Sequence, residues 1–280
     1  MTAVHMDFTS GFFTEAELEE AIISLFQEQD YSYIPGETIH RRVEEILLLD
    51  DLMAYLSEQY PDLTASETKK IVNRLDNIPA TPLYVGNREA FFLVNEGFDL
   101  VRDDPTKLAI HVNYIDFNKP EKNVFKVVNQ YSVAYETGRT RRPDLLLFLN
   151  GIPVAIFEFK SAIKESTTIH DAWEQITIRY CRDVPKLMKF CFLSVISDGA
   201  NTRMGSIFTP YEYYYAWNKI NDAENVSNGM AALITMIKGA FTKERVTAIL
   251  RDFVYYPDNT TKETAIVARY PQFFAARKML

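Results

Sequence analysis

A mixed α/β fold is the class this sequence predicts, and three observations carry it. Apolar residues recur at helical spacing through the first third of the chain. The period then shortens to two from Lys107 onward, and helical spacing returns before and after an apolar segment at Phe190–Ile196. The order of elements is helices, three or four antiparallel strands in a meander, a helix, a further strand and closing helices.

The first helix is marked by Leu18, Ile22, Leu25 and Phe26, with Thr14 as N-cap and Glu17 three residues on. It breaks at 31–36, where a short strand at 31–34 fits. Further helices are expected over 40–60, on the apolar stripe Val43, Ile46, Leu47 and Leu49, and over 66–78 and 87–95 around the turn at Pro79 and Pro82. Strand patterns follow in Leu108, Ile110, Val112 and Tyr114, in 124–135, in 145–149 and in 153–159. The last two flank Asn150-Gly151, a strong hairpin signal. A helix at 169–181, a strand at 190–196 and a turn at Ser197-Asp198-Gly199 come next. The aromatic run 211–217 reads as packing surface, and helices are expected near 229–238, 243–253 and 262–280. The expected division is a helical part at 1–106, a core at 107–209 and a helical flank at 210–280.

With 280 residues, 47% hydrophobic and 24% charged, the chain can bury a full core, which excludes disorder and fibrous classes. A net charge of −8 argues against a surface basic throughout, though not against a local basic cleft. Cys181 and Cys191 lack zinc-site spacing and suit a reducing, cytoplasmic setting as core thiols. His5, His40, His111 and His170 show neither metal nor triad spacing. Residues 1–8 carry no export signal, and no run is long enough to span a membrane.

The informative stretch is 139–160. Asp144 begins one expected strand, Glu158 and Lys160 end the next, and nearly everything between them is apolar. Residues i and i+2 of a strand share a face, so Glu158 and Lys160 point together. Hairpin register decides whether Asp144 joins them. A two-residue loop sets it opposite Phe157, and a three-residue loop sets it opposite Glu158. The second register is expected, with a bulge near Gly151 or Ile152. Two carboxylates and a main-chain carbonyl suit Mg²⁺, and a neighbouring lysine can stabilise charge in attack on phosphorus, which is the chemistry of phosphodiester hydrolysis. A second Glu-x-Lys, Glu67-Thr68-Lys69, falls on a polar helix and reads as surface charge. Arg139, Arg141 and Arg142 form the densest basic cluster, where a phosphate backbone could approach.

Asp144 with Glu158-x-Lys160 resembles the PD-(D/E)xK nuclease signature, and the surroundings resemble the N-terminal nuclease region of the type I restriction enzyme R (motor) subunit. Thr14-Glu15 to Glu19, Arg142-Pro143-Asp144, Ile156 to Lys160, Ala172-Trp173-Glu174-Gln175, Ser197-Asp198-Gly199 and Arg203-Met204-Gly205-Ser206 carry the likeness. It implies a restriction-endonuclease-like core with Asp144, Glu158 and the Phe159 carbonyl as metal ligands and Lys160 positioning water. It further implies Glu19, or Glu15, as a carboxylate near the metal and Gln175 and Tyr180 as a helix motif serving cleavage. Tyr180 stands five residues beyond Gln175 where the family has four, which turns it off the Gln175 face unless the helix bulges. Residues 268–280 resemble the segment before the family's ATPase motor, with Gln272 as its adenine-recognising glutamine. No G-x-x-x-x-G-K-[ST] phosphate loop occurs, so a piece of a longer subunit is expected. The implied partners are double-stranded DNA and specificity and methylation subunits. Cleavage would follow ATP-driven translocation, and Mg²⁺ would be the cofactor. Rival readings are a repair or RNA nuclease of the same superfamily, or a non-catalytic interaction module.

Overall fold

The computed structural model describes residues 14–136, 138–161, 168–221, 230–258 and 262–279. The expectations for residues 1–8, and the ends of two expected helices at Gly229 and Leu280, lie outside these. Helices α1 (Glu15–Gln27), α2 (Leu49–Gln59), α3 (Ala65–Asp76) and α4 (Leu83–Glu96) fill the first third, with strand β1 (Ser32–Pro35) between the first two. Then come β2 (Phe98–Leu100), β3 (Ile110–Val112), β4 (Phe125–Asn129), β5 (Val133–Glu136), β6 (Arg139–Arg141), β7 (Leu145–Leu149) and β8 (Ile152–Phe159). Helix α5 (Ile169–Glu174) runs through a π turn (Gln175–Tyr180) into α6 (Cys181–Asp183), followed by α7 (Pro185–Met188), β9 (Leu193–Ser197) and β10 (Thr202–Gly205). The chain closes with α8 (Met230–Ala240), α9 (Lys243–Asp252), β11 (Val254–Tyr255), β12 (Ile266–Val267) and α10 (Tyr270–Met279).

Six strands form the central sheet in the order β1-β4-β7-β8-β9-β10. Strands β4, β7 and β8 are antiparallel neighbours, whereas β1 joins β4 and β9 joins β8 in parallel. Every residue of β7 and β8 is buried, as continuous apolar runs covered on both faces require. Phe157 meets Phe26 of α1 edge-on, with ring centroids 5.7 Å apart, while its neighbour Glu158 meets Gln175 of the π turn. Since adjacent strand residues face opposite ways, α1 and the π turn cover opposite faces of the sheet. Thr14 and Glu17 close a reciprocal cap at the start of α1. The α/β class holds, and one buried cluster runs from Leu18 to Phe273. Among the described residues no helix is long and apolar enough to cross a membrane.

Several expected elements are corrected. The helix over 40–60 begins only at Leu49. Upstream, the Arg41 guanidinium donates to the carbonyls of Arg42 and Glu45, Tyr131 donates to Ile46 O, and Leu48 N–H donates to Gly151 O, so the backbone is satisfied without helical bonds. Strand β3 pairs with β2 in a separate ribbon instead of joining the meander, because Tyr114 just beyond it is buried with its hydroxyl on Ile71 O, against the helical layer. The segment 124–135 divides at Gln130, whose φ is 49°, into β4 and a separate β5–β6 hairpin. The last helix starts at Tyr270, after β12. Glu67 is not surface charge. It is 1% exposed, caps α3 with Thr64 and is ion-paired with Arg102 at 2.8 Å.

The β7–β8 hairpin positions the site. Leu149 pairs with Ile152 and Phe148 with Pro153 across a two-residue turn, and Asn150 and Gly151 take φ of 50° and 79° there. The register then shifts, so that Leu147 pairs with Ala155 and Leu145 with Phe157. The expected pairing is therefore reached at the far end, but the three-residue loop expected for it is replaced by a two-residue turn with a bulge at Val154 instead of at Gly151 or Ile152. Pro153, which has no N–H to give the ladder, is the reason.

Candidate active site

With Leu145 opposite Phe157, the next position back along β7 brings Asp144 opposite Glu158. Asp144 Oδ2 accepts the Phe159 N–H at 2.7 Å. Lys160 N–H donates to Ser197 O at 2.9 Å, so pairing with β9 continues past the end of β8 and holds the lysine backbone. The two acidic side chains and the lysine converge where the start of β7 meets the end of β8, beside the end of β9.

Glu158 is 1% exposed. Its Oε1 accepts the Lys160 ammonium at 3.0 Å and the Gln175 amide, and Lys160 also donates to Phe159 O at 3.0 Å. Its Oε2 is buried with no hydrogen-bond partner among the described residues. Burial, and secondarily Asp144, pushes the Glu158 carboxyl well above its ordinary range. Burial likewise pushes Asp144 up to about 6, against the opposing pull of the Phe159 N–H and Lys160. Two desolvated carboxylates side by side are costly, and one lysine offsets only part of that cost.

This arrangement fits a hard divalent cation. Glu158 offers an orphaned buried oxygen, Asp144 stands opposite, and the Phe159 carbonyl keeps a lone pair beside its bond to Lys160. Among the described residues no three His, Cys, Asp or Glu side chains group as a metal cage. Two carboxylates and a carbonyl leave room for several waters, a set that Mg²⁺ accepts.

Gln175 and Tyr180 are brought together. The π turn sets them on one face, and Gln175 Nε2 donates to the Tyr180 hydroxyl at 2.7 Å as well as to Glu158. Glu19 is held by Asn129 Nδ2 at 2.7 Å and Gln130 Nε2 at 2.8 Å, and it lies near enough to Asp144 to help raise that carboxyl, as does Glu15. Sequence reasoning missed Asn129 and Gln130, whose signal was two amides interrupting a β-branched run.

The three arginines have different surroundings. Arg141 pairs with buried Asp183 at 2.6 Å and lies over the Tyr135 ring, and Arg139 bonds Glu136 and the Tyr135 hydroxyl. Arg142 is exposed and forms no ion pair among the described residues. Gln272 accepts the Arg269 N–H at 2.7 Å on α10 and helps line a cavity of about 390 Å³ with Gly205, Tyr213 and Tyr215, apart from the carboxylates.

The family described as type I restriction enzyme R protein N terminus matches residues 12–213. The chain belongs to this family. The match spans Asp144, Glu158, Lys160, Gln175 and Tyr180, while Gln272 falls beyond it. Among curated relatives, one from Methanocaldococcus jannaschii, named as the type I restriction enzyme MjaIXP endonuclease subunit, is 28% identical over 93% of this chain and 27% of its own length. The type I restriction enzyme HindI endonuclease subunit of Haemophilus influenzae is 23% identical over 94% of this chain and 26% of its own. The chain thus spans about a quarter of the length of these relatives.

Proposed function

We propose that this chain is the DNA-cleaving part of a type I restriction enzyme R protein and hydrolyses phosphodiester bonds of unmodified double-stranded DNA with Mg²⁺. The observation that carries the reading is the divided Glu158 carboxylate, one oxygen held by Lys160 and Gln175 and the other left open opposite Asp144. Asp144, Glu158 and the Phe159 carbonyl would hold the ion in a PD-(D/E)xK core spanning 107–209. When bound, Mg²⁺ supplies Lewis-acid charge against the phosphate and its attacking water. Lys160, fixed by two acceptors, orients water and offers positive charge to the oxygens that gain charge as phosphorus is attacked. Gln175 fixes the carboxylate of Glu158, Tyr180 braces Gln175, and Glu19 adds negative charge near Asp144. Arg142, and with it Arg139 and Arg141, meets the phosphate backbone beside the site.

In the longer protein this part acts with specificity and methylation subunits in the cytoplasm. DNA is delivered by ATP-driven translocation, and Gln272 contributes to adenine recognition there. Titration calorimetry of the chain with Mg²⁺ tests the site. Saturation at one ion is expected, lost in Glu158→Ala, and unchanged binding by that variant would remove Glu158 from the reading.

A further inference from the structure

One row of the central sheet carries charge where the strands end. Glu158 of β8 pairs with Ile196 of β9, and Ile196 pairs with Arg203 of β10, with no register shift on the way. Paired residues of neighbouring strands point to one face, so Arg203 shares the face of Glu158. Asp144 stands opposite Glu158 on the other side, and the row reads Asp144, Glu158, Ile196, Arg203. Strand β10 runs back from this end of the sheet, and Arg203 is its second residue.

Arg203 is half-buried, its guanidinium lies over the Tyr211 ring at 5.5 Å, and among the described residues its side chain donates no hydrogen bond and makes no ion pair. None of its nitrogens is buried without a partner, so the guanidinium reaches solvent. The ring beside it is braced. His170 meets Tyr211 with ring centroids 4.7 Å apart at 72°, Trp173 lies 6.0 Å from it at 65°, and the Trp173 indole N–H donates to Thr209 O at 3.0 Å. Nearby carboxylates of α5 are occupied, Glu174 by His170 at 3.6 Å and Asp171 by the Thr168 hydroxyl at 3.0 Å. A guanidinium stacked on a fixed ring and holding no carboxylate keeps its planar set of donors free for an anion, and that geometry matches phosphate.

Two strand spacings separate β8 from β10, about 10 Å, which corresponds to roughly three base steps of duplex DNA. Arg142, just before β7, stands on the opposite flank of the carboxylates. We infer that Arg203, braced by Tyr211, is a second phosphate-binding residue, which seats the backbone of duplex DNA on the β10 side of the reacting centre while Arg142 meets it on the β7 side. This rests on the DNA-cleaving reading and adds to it the direction in which the duplex lies, across the strand ends from β7 to β10.

Fluorescence anisotropy of a labelled, unmodified duplex with this chain, in EDTA over a series of salt concentrations, reads the contact apart from the cation site. Arg203→Ala should weaken binding roughly tenfold at low salt and reduce the slope of log affinity against log salt by about 0.9, the share of one phosphate. Arg203→Lys keeps the charge and should keep the slope, and Tyr211→Phe, which keeps the ring, should bind as the unmodified chain does. Thermal melts verify folding, and should Arg203→Ala not fold, Arg203→Gln, uncharged and polar, gives the same reading. An unchanged slope in the folded variant overturns the role of Arg203, and a slope that falls in Arg142→Ala at the same time leaves the DNA-cleaving reading standing. Failure of the unmodified chain to bind duplex in a salt-dependent way overturns both. Mg²⁺ binding that survives Glu158→Ala would remove the proposed cation site, while the slope still decides Arg203.

Discussion

Replacing Asp144 by Asn should stabilise the chain when no divalent cation is present. Burial raises Asp144 from 3.8 to about 6, so the folded protein holds a proton that the unfolded chain gives up across that interval. Stability therefore falls as pH rises through this window, and above it the ionised side chain costs the fold about 3 kcal/mol. Asn cannot ionise and can still accept the Phe159 N–H, which Asp144 Oδ2 now accepts at 2.7 Å. It also relieves Glu158, whose second cause of elevation is the Asp144 charge. For a chain of this length 3 kcal/mol corresponds to roughly 5–10 °C in melting temperature. Calorimetric melts in EDTA at pH 8 and pH 5 measure it, and the gain should shrink to roughly half at the lower pH, where the folded wild type is already mostly protonated. A variant less stable than wild type at pH 8, or a difference that does not change with pH, would refute the picture of two desolvated carboxylates facing one another.

Mg²⁺ should raise the melting temperature of the unmodified chain, by about 2.7 kcal/mol of stability at a hundred times its dissociation constant, and Asp144→Ala should abolish the rise. An equal rise in that variant would place the ion elsewhere. Asn87→Ala should cost about 3 kcal/mol in denaturant unfolding, because its buried amide serves the carbonyls of Met188, Lys189 and Cys191 and accepts the Tyr256 hydroxyl; a change under 1 kcal/mol would show those groups are satisfied otherwise. Gly86→Ala should lower stability by about 3 kcal/mol, since a Cβ there would lie 1.9 Å from Pro79 O, and an unchanged melt would show that the α4 contact yields freely.

Much of the site was legible because the hairpin signals were local. Asn150-Gly151 named the turn, and the apolar runs on either side of it named two strands buried on both faces. The bulge was misplaced because its cause, Pro153 meeting the ladder, depends on which residue it pairs with. The five-residue interval from Gln175 to Tyr180 left open whether the helix is regular, with Tyr180 off the Gln175 face, or bulged, and the π turn decides for the bulge. Other expectations failed where long-range partners override a local pattern. Residues 40–48 have helical spacing, yet Arg41, Tyr131 and Gly151 take up their backbone groups. Glu67 looks like any helix charge until Arg102, 35 residues away, buries it. Nothing in the local pattern of 110–112 announces that its partner is β2 and not the central sheet.

The most direct test of the account uses the longer subunit assembled with its partner subunits on unmodified circular DNA, with Mg²⁺ and ATP, measuring strand cleavage and ATP hydrolysis in parallel for wild type and Lys160→Ala. Loss of the positioned cation should slow cleavage on the order of 10²-fold or more while ATP hydrolysis continues at its normal rate. Near-normal cleavage by Lys160→Ala would contradict the assignment of Lys160 and, with it, the reading of Asp144, Glu158 and Lys160 as the reacting centre.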